Sequence, residues 1–225
     1  MRTHEQKTGF PAKTGLYTSP HLINPEERIR INFRSLNKKV FARYVAETHS
    51  ALQSSGMNSQ DAPRYLQLLA LAFFHAFIKE RVDVTIYETH QDGEYDATNV
   101  ISKPVVTAIT SIDEDHMHQL GSSLTNVAWH KAGIFKAGAP AFSASQQNAV
   151  ATMLQKRAAD KKVSLEFVEV CSDLSADASQ LKPKVQLLKL SLTRAVSNSF
   201  LQQRASQDNA ELSSHDIIQG VKAFS

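Results

Sequence analysis

A single cysteine, Cys171, stands in 225 residues. It excludes an intramolecular disulfide and any cysteine-based metal cluster, and it fits a reducing compartment. Long apolar runs are also missing. None approaches the ~20 residues that a membrane-crossing helix requires, and the start, Met1-Arg2-Thr3-His4-Glu5-Gln6-Lys7, has no apolar stretch resembling a signal peptide. That start is short and contains Glu5, so it does not read as a mitochondrial presequence, and the chain is expected in the cytoplasm. Charge of one sign is scarce too. The net charge is +3, and basic residues occur only in doublets such as Lys38-Lys39 and Lys161-Lys162, which read as solvated surface. Nothing here predicts a nucleic-acid partner. No internal repeat or low-complexity tract is present.

What is there is ordinary globular composition, 42% hydrophobic and 21% charged. Residues 1–14 are polar, contain Gly9 and Pro11, and read as a loose N-terminal segment; the length allows one large domain, or one domain and a fragment. Ser35 is placed to cap a helix running to about Ser55, with Phe41, Tyr44, Val45, Thr48 and Leu52 on one face. A second helix, from about Pro63 to Arg81, is apolar on nearly every side and predicts a buried element. Further helices are expected at 147–161, 187–204 and 214–224, with a loop at 171–184. The short apolar segments 82–87, 104–110 and 165–170 read as strands set among helices, which predicts an α/β fold with a mostly parallel sheet flanked by helices.

Ligands of such sheets sit at the carboxyl ends of strands. Glu88 and the segment Asp113–His116 fall there, and Ser19 follows a stretch that could itself end a strand. By itself Ser19 before Pro20 reads as a turn residue, Glu88 as a solvated strand end, and His116 beside Asp115 as a hydrogen-bonded loop pair. Lys131 alone reads as a helix-surface lysine. Asp96 and Asn99, in Tyr95-Asp96-Ala97-Thr98-Asn99, read as an Asx-type turn.

Taken in order, Gly15-Leu16-Tyr17-Thr18-Ser19-Pro20-His21-Leu22, Tyr95-Asp96-Ala97-Thr98-Asn99, Asp115-His116 and Trp129-His130-Lys131-Ala132-Gly133-Ile134-Phe135-Lys136 resemble the folylpolyglutamate synthases. These are the folate branch of the Mur-type ligases, and the likeness is greatest to fungal members. The resemblance implies part of a Mur-ligase central, ATP-binding domain over 15–225, with the C-terminal ligase domain expected to be absent. It implies ATP-dependent addition of L-glutamate to a folate polyglutamate through an acyl phosphate. Magnesium would be held by Ser19, Glu88 and His116. Lys131 matches the lysine that the family carbamylates, and Gln186 lies in the adenine region.

The pattern also departs from the family. Where the family follows its glutamate with Val/Cys-Gly-x-Gly-Gly, this chain has Thr89-His90-Gln91-Asp92-Gly93, so His90 and Asp92 add side chains in the loop; a metal site on that pair is a minor alternative. The segment Gly133-Ile134-Phe135-Lys136-Ala137-Gly138 lacks the lysine and hydroxyl of a phosphate loop, and the family's glycine-rich loop is expected before Ser19. Lys189 replaces an asparagine beyond Gln186. From these departures the chain alone is expected to turn over little or no substrate and to self-associate. Two alternatives stay open: a non-catalytic binding partner, or a repurposed amide ligase in a specialised biosynthetic pathway.

Overall fold

The computed structural model describes residues 2–114, 120–177, 184–204 and 211–222. They divide into two compact units. One comprises Phe10–His90 and Asp96–Val100, and is called here the Ser19 unit. The other comprises Met1–Gly9, Gln91–Tyr95 and Ile101–Ser225, and is called the Lys131 unit.

The Ser19 unit is built on a four-stranded sheet of order β3-β2-β1-β4. β1 (Thr14–Tyr17) runs parallel to β4 (Val84–Tyr87) and antiparallel to β2 (Ile29–Ile31), which pairs in turn with β3 (Arg34–Ser35). The sheet is therefore mixed. The β2–β3 hairpin escapes the sequence reading because its turn is Asn32-Phe33, both at positive φ, where the usual signal is an Asn-Gly pair. Asn32 tolerates that conformation, and its Oδ1 also accepts a hydrogen bond from the Thr14 amide at 2.8 Å.

Two helices cover this sheet. α2 (Lys38–Ser54) begins two residues after β3, because Asn37, not Ser35, caps it by accepting from the Lys39 amide. α3 (Tyr65–Glu80) buries Leu69, Ala70, Ala72, Phe73, Ala76 and Phe77 and ends at Arg81 in the left-handed conformation. Its aromatic face explains the unit's core: Phe73 stacks on Tyr17 with ring centroids 4.1 Å apart. Gly15 is needed in β1 because a Cβ there would stand 2.9 Å from the Phe77 ring. The opposite stripe of α3 is less covered than the all-apolar sequence predicts, and Leu71 and Ile78 are exposed.

The Lys131 unit holds a three-stranded, wholly parallel sheet of order β5-β6-β7: Thr107–Ile109, Ala141–Ala144 and Leu165–Val168. α4 (Leu124–Lys131) and α5 (Asn148–Asp160) pack around a core of Val127, Ala128, Phe135, Val150 and Leu154. Further along come α6 (Ser172–Asp177), α7 (Lys184–Arg204) and α8 (Ser214–Lys222). α6 occupies part of the segment read as a loop. The segment 1–14 is likewise more ordered than its composition suggests. Arg2–Thr8 form α1, which packs against α8, and Lys7 pairs with Asp216 there. Polarity marks exposure, not disorder, when a partner helix supplies the contact. No helix among the described residues is long and apolar enough to cross a membrane.

Candidate active site

Parallel pairing fixes where the first two candidate residues meet. β1 and β4 are in register, with Tyr17 opposite Tyr87, and the Glu88 amide extends the ladder by donating to Tyr17 O at 3.0 Å. The two strands thus end together. Ser19, two residues beyond β1, and Glu88, one beyond β4, emerge at the same edge, and the Ser19 amide donates to Glu88 Oε2 at 3.2 Å.

A residue overlooked in the sequence completes this corner. β2 returns antiparallel to β1, and the Thr18 amide donates to Arg28 O at 3.0 Å. The Arg28 side chain is therefore carried back over the strand end. Its Nη1 donates to Ser19 Oγ at 2.8 Å and its Nε to His21 Nδ1 at 2.9 Å. Arg28 is buried, at 5% exposure. The only trace of this in the sequence is that Arg28 precedes the alternating Ile29-Arg30-Ile31, and such a trace does not tell a buried arginine from a surface one. Between Ser19 and Arg28 the chain makes a tight loop whose amides at Leu22, Ile23 and Asn24 all donate to the Glu27 carboxylate. These bonds, led by that from Asn24, hold the Glu27 carboxyl below its usual range. Leu22 and Ile23 are left facing solvent, 92% and 81% exposed.

Behind Ser19 lies a buried polar chain. Tyr17 Oη sits 2.7 Å from His90 Nε2, and His90 Nδ1 is 3.2 Å from Asp96 Oδ1. Asp96 also accepts from the His90 amide, the Thr98 amide and Thr98 Oγ1. Burial by itself would raise the Asp96 carboxyl. The hydrogen bonds from His90 and Thr98 outweigh it and hold the group well below the usual carboxylate range. Burial pushes the Tyr17 phenol the other way, up to about 12, against the pull of Arg28. The Asx turn read at Asp96 is present, as the Thr98 amide bond to Asp96 Oδ1 shows. His90, which stands where a glycine was expected, is held by Asp96 and Tyr17.

The Lys131 unit holds the remaining described candidates. Lys131 is the last residue of α4, half-buried. Against this helix end lies the loop Gln91–Tyr95. His130 Nδ1 is 2.9 Å from Asp92 Oδ1, and the Glu94 amide donates to His130 O at 2.8 Å. Glu94 in turn pairs with Arg157 and, at 3.1 Å, with Lys161. The approach is close enough to require two glycines: a Cβ on Gly93 would lie 2.3 Å from His130 O, and one on Gly133 would lie 2.1 Å from Glu94 Cα. Asp92 therefore serves His130, and His90 serves Tyr17 and Asp96. Gln186 is exposed near the start of α7. His116 lies outside the described residues.

The structure thus joins Ser19 to Glu88 and adds Arg28 to them. A hydroxyl and a carboxylate on adjacent strand ends are oxygen groups of the kind a hard divalent cation accepts, although here the Ser19 hydroxyl accepts from Arg28. Among the described residues, no group of three or more His, Cys, Asp or Glu side chains converges on a metal position.

No protein-family model matches the chain. Individual proteins do. The chain is 39% identical over 201 residues to the folylpolyglutamate synthase of Neurospora crassa, a match that takes in 87% of this chain and 38% of the relative. It is similar in structure to E. coli FolC in complex with ADP, at 29% identity and a TM-score of 0.63 over 74% of this chain. The apo form of L. casei FPGS shares the fold across 98% of the chain and 58% of its own length, with a TM-score of 0.82 at 23% identity. The chain spans well under half the length of the curated relatives it matches. Over the residues they share, it belongs to the folylpolyglutamate synthase family.

Proposed function

We propose that this chain supplies part of the active site of an ATP-dependent acid–amino-acid ligase, one that adds L-glutamate to tetrahydrofolate (poly)glutamates. On this reading residues 15–225 correspond to part of the central, ATP-binding domain. The observation that carries it is the meeting of Ser19 and Glu88 at 3.2 Å on the ends of two parallel strands, in a chain of this family.

Ser19 and Glu88 would hold magnesium through their hydroxyl and carboxylate oxygens, with His116 as a third ligand. When bound, the ion supplies charge neutralisation for the phosphates of ATP. Lys131, as its carbamate, would present a carboxylate-like group to the same chemistry, and Gln186 would face the adenine. A nucleotide's phosphates find no G-x-x-x-x-G-K-[ST] cradle in these 225 residues.

What this chain's own residues do is position. Arg28 orients the Ser19 hydroxyl, the Ser19 amide orients Glu88, and the Asp96–His90–Tyr17 chain fixes the strand ends from which both emerge. The chain by itself is expected to release little or no ADP from ATP with tetrahydrofolate and glutamate.

The test is a graft. The chain replaces the matching 201 residues of the Neurospora protein, and ADP formation is followed with tetrahydrofolate, glutamate and magnesium. Glutamate-dependent ADP release that Glu88→Ala abolishes supports the reading. A folded graft without such release, or steady release that survives Glu88→Ala, overturns it.

A further inference from the structure

Glu94 is one carboxylate among three cations of the Lys131 unit. Its Oε2 accepts from Arg157 Nη2 and, at 3.1 Å, from Lys161 Nζ. Lys161 Nζ also donates to Gly133 O at 3.0 Å, tying the end of α5 to the turn after α4. Lys136, half-buried, follows that turn. No acceptor meets its Nζ among the described residues. Burial, and after it the charge of Lys161, hold the Lys136 ammonium below its usual range, with Glu94 pulling the other way. Arg157 adds to the imbalance. Its guanidinium lies over the Trp129 ring, 4.2 Å from the centroid, and its Nε is a buried donor that finds no acceptor among the described residues. Three cations and one carboxylate leave an excess of two positive charges, and desolvated charge without a counter-charge is costly.

An excess of two charges calls for a dianion. A carboxylate brings one charge and two acceptor oxygens in one plane. A phosphate dianion brings two charges, with oxygens on several sides, so it can accept from two lysines at once. The donors suit it as well. Lysine ammoniums meet phosphate as point charges and impose no planar fork. The stack on Trp129 holds the Arg157 guanidinium in place, so its charge contributes without further ordering.

We propose that Lys136 and Lys161, backed by Arg157, bind a phosphate dianion, either free phosphate or the phosphate of a monoester. The site shares no residue with the Ser19–Glu88 corner and does not rest on the ligase reading, so its failure and the failure of that reading are separate results.

The experiment is a calorimetric titration of the full chain with orthophosphate at about pH 8, above the second phosphate pKa of about 6, with ionic strength held constant by sodium chloride. Orthophosphate is expected to give a saturable one-to-one heat, and acetate, a monoanion, to bind about tenfold more weakly or worse. Lys136→Met and Lys161→Met are each expected to weaken orthophosphate about tenfold or more, the worth of one charge-assisted hydrogen bond. Lys103→Met, at an exposed lysine of the same unit, is expected to leave affinity unchanged. Phenyl phosphate binding more tightly than orthophosphate supports the site and assigns it to a monoester; binding equally or more weakly supports it and assigns it to free phosphate. Lys161→Met also loses bonds to Glu94 and Gly133, so if it fails to fold, Lys136→Met decides. Because the Lys136 ammonium has no acceptor to lose, Lys136→Met without phosphate is expected to melt no lower than the parent chain, and phosphate is expected to raise the melting temperature of the parent and not of the variant. The proposal is overturned by no saturable heat, by acetate binding as tightly as orthophosphate, by a folded Lys136→Met with unchanged affinity, by an equal loss in Lys103→Met, which would mean an adventitious effect of overall charge, or by Lys136→Met melting well below the parent without phosphate, which would mean a structural role.

Discussion

Strands β4 and β6 are each four residues long and each parallel to a neighbour, yet their surroundings differ. All four residues of β6 are buried, whereas β4 leaves Thr85 and Ile86 exposed. Among the described residues β6 is paired on both sides, by β5 and β7, and β4 on one side, by β1. The contrast extends to the units that contain them. In the Ser19 unit Leu22, Ile23, Tyr65, Leu71, Ile78, Ile86 and Val100 are large, apolar and exposed; in the Lys131 unit the corresponding described residues are Tyr95 and Val185. Parallel strands stabilise a sheet by being covered on both faces. The Lys131 unit has closed an ordinary core around β6. The Ser19 unit has put its order into an aromatic stack and a buried polar chain, and leaves apolar surface to water.

The largest effect should come from breaking the aromatic stack. Phe73 is fully buried against Tyr17, Phe74, Phe77 and Tyr87. Phe73→Ala should cost about 3–5 kcal/mol. Calorimetry is expected to show the loss on unfolding of the Ser19 unit, with backbone-amide exchange in β6 less affected; equal loosening of β6 would mean that the contrast between the units has no energetic content.

A smaller effect tests the polar chain. Asp96→Asn leaves His90 without its carboxylate and should cost about 1–3 kcal/mol at neutral pH. The folded Asp96 carboxyl lies below its unfolded value of 3.8. Its contribution is thus complete above about pH 4 and is lost as pH falls further, toward the folded value. Acid unfolding of Asp96→Asn should be correspondingly shallower than that of the parent chain. Tyr17 is shifted upward, from 10.0 to about 12, so its contribution is complete below about pH 10 and is lost as pH rises from there to about 12. Tyr17→Phe should flatten that alkaline limb, leaving the part due to Tyr87, which burial also raises to about 12.

The smallest effect on stability should accompany the clearest effect on association. Exposed apolar surface of this extent drives self-association, so light scattering at micromolar concentration is expected to show mass rising with concentration. Ile78→Lys and Ile86→Lys should reduce it while moving stability by no more than about 0.5 kcal/mol. A monodisperse monomer at every concentration would remove the association reading.

The chain's own order of residues determined a good deal of this protein. Periodicity is a local property, and it placed α2, α3, α5, β4, β5 and β7 close to where they stand. The strings around Ser19, Asp96, Trp129 and Lys131 carry the family likeness by themselves. Tertiary structure alone decided what those residues touch. Ser19 reaches Glu88 because β1 and β4 end in register, a pairing between segments 69 residues apart. Arg28 becomes a buried cation because β2 returns antiparallel to β1 and brings Arg28 beside Thr18. His90 and Asp92, which read as intrusions in a glycine loop, acquire partners in Tyr17, Asp96 and His130 from other elements. α1 forms on the strength of a helix more than two hundred residues away in sequence, at Asp216. Local pattern reports how a segment meets water; burial, counter-charge and hydrogen-bond partner depend on what the rest of the chain brings to that place.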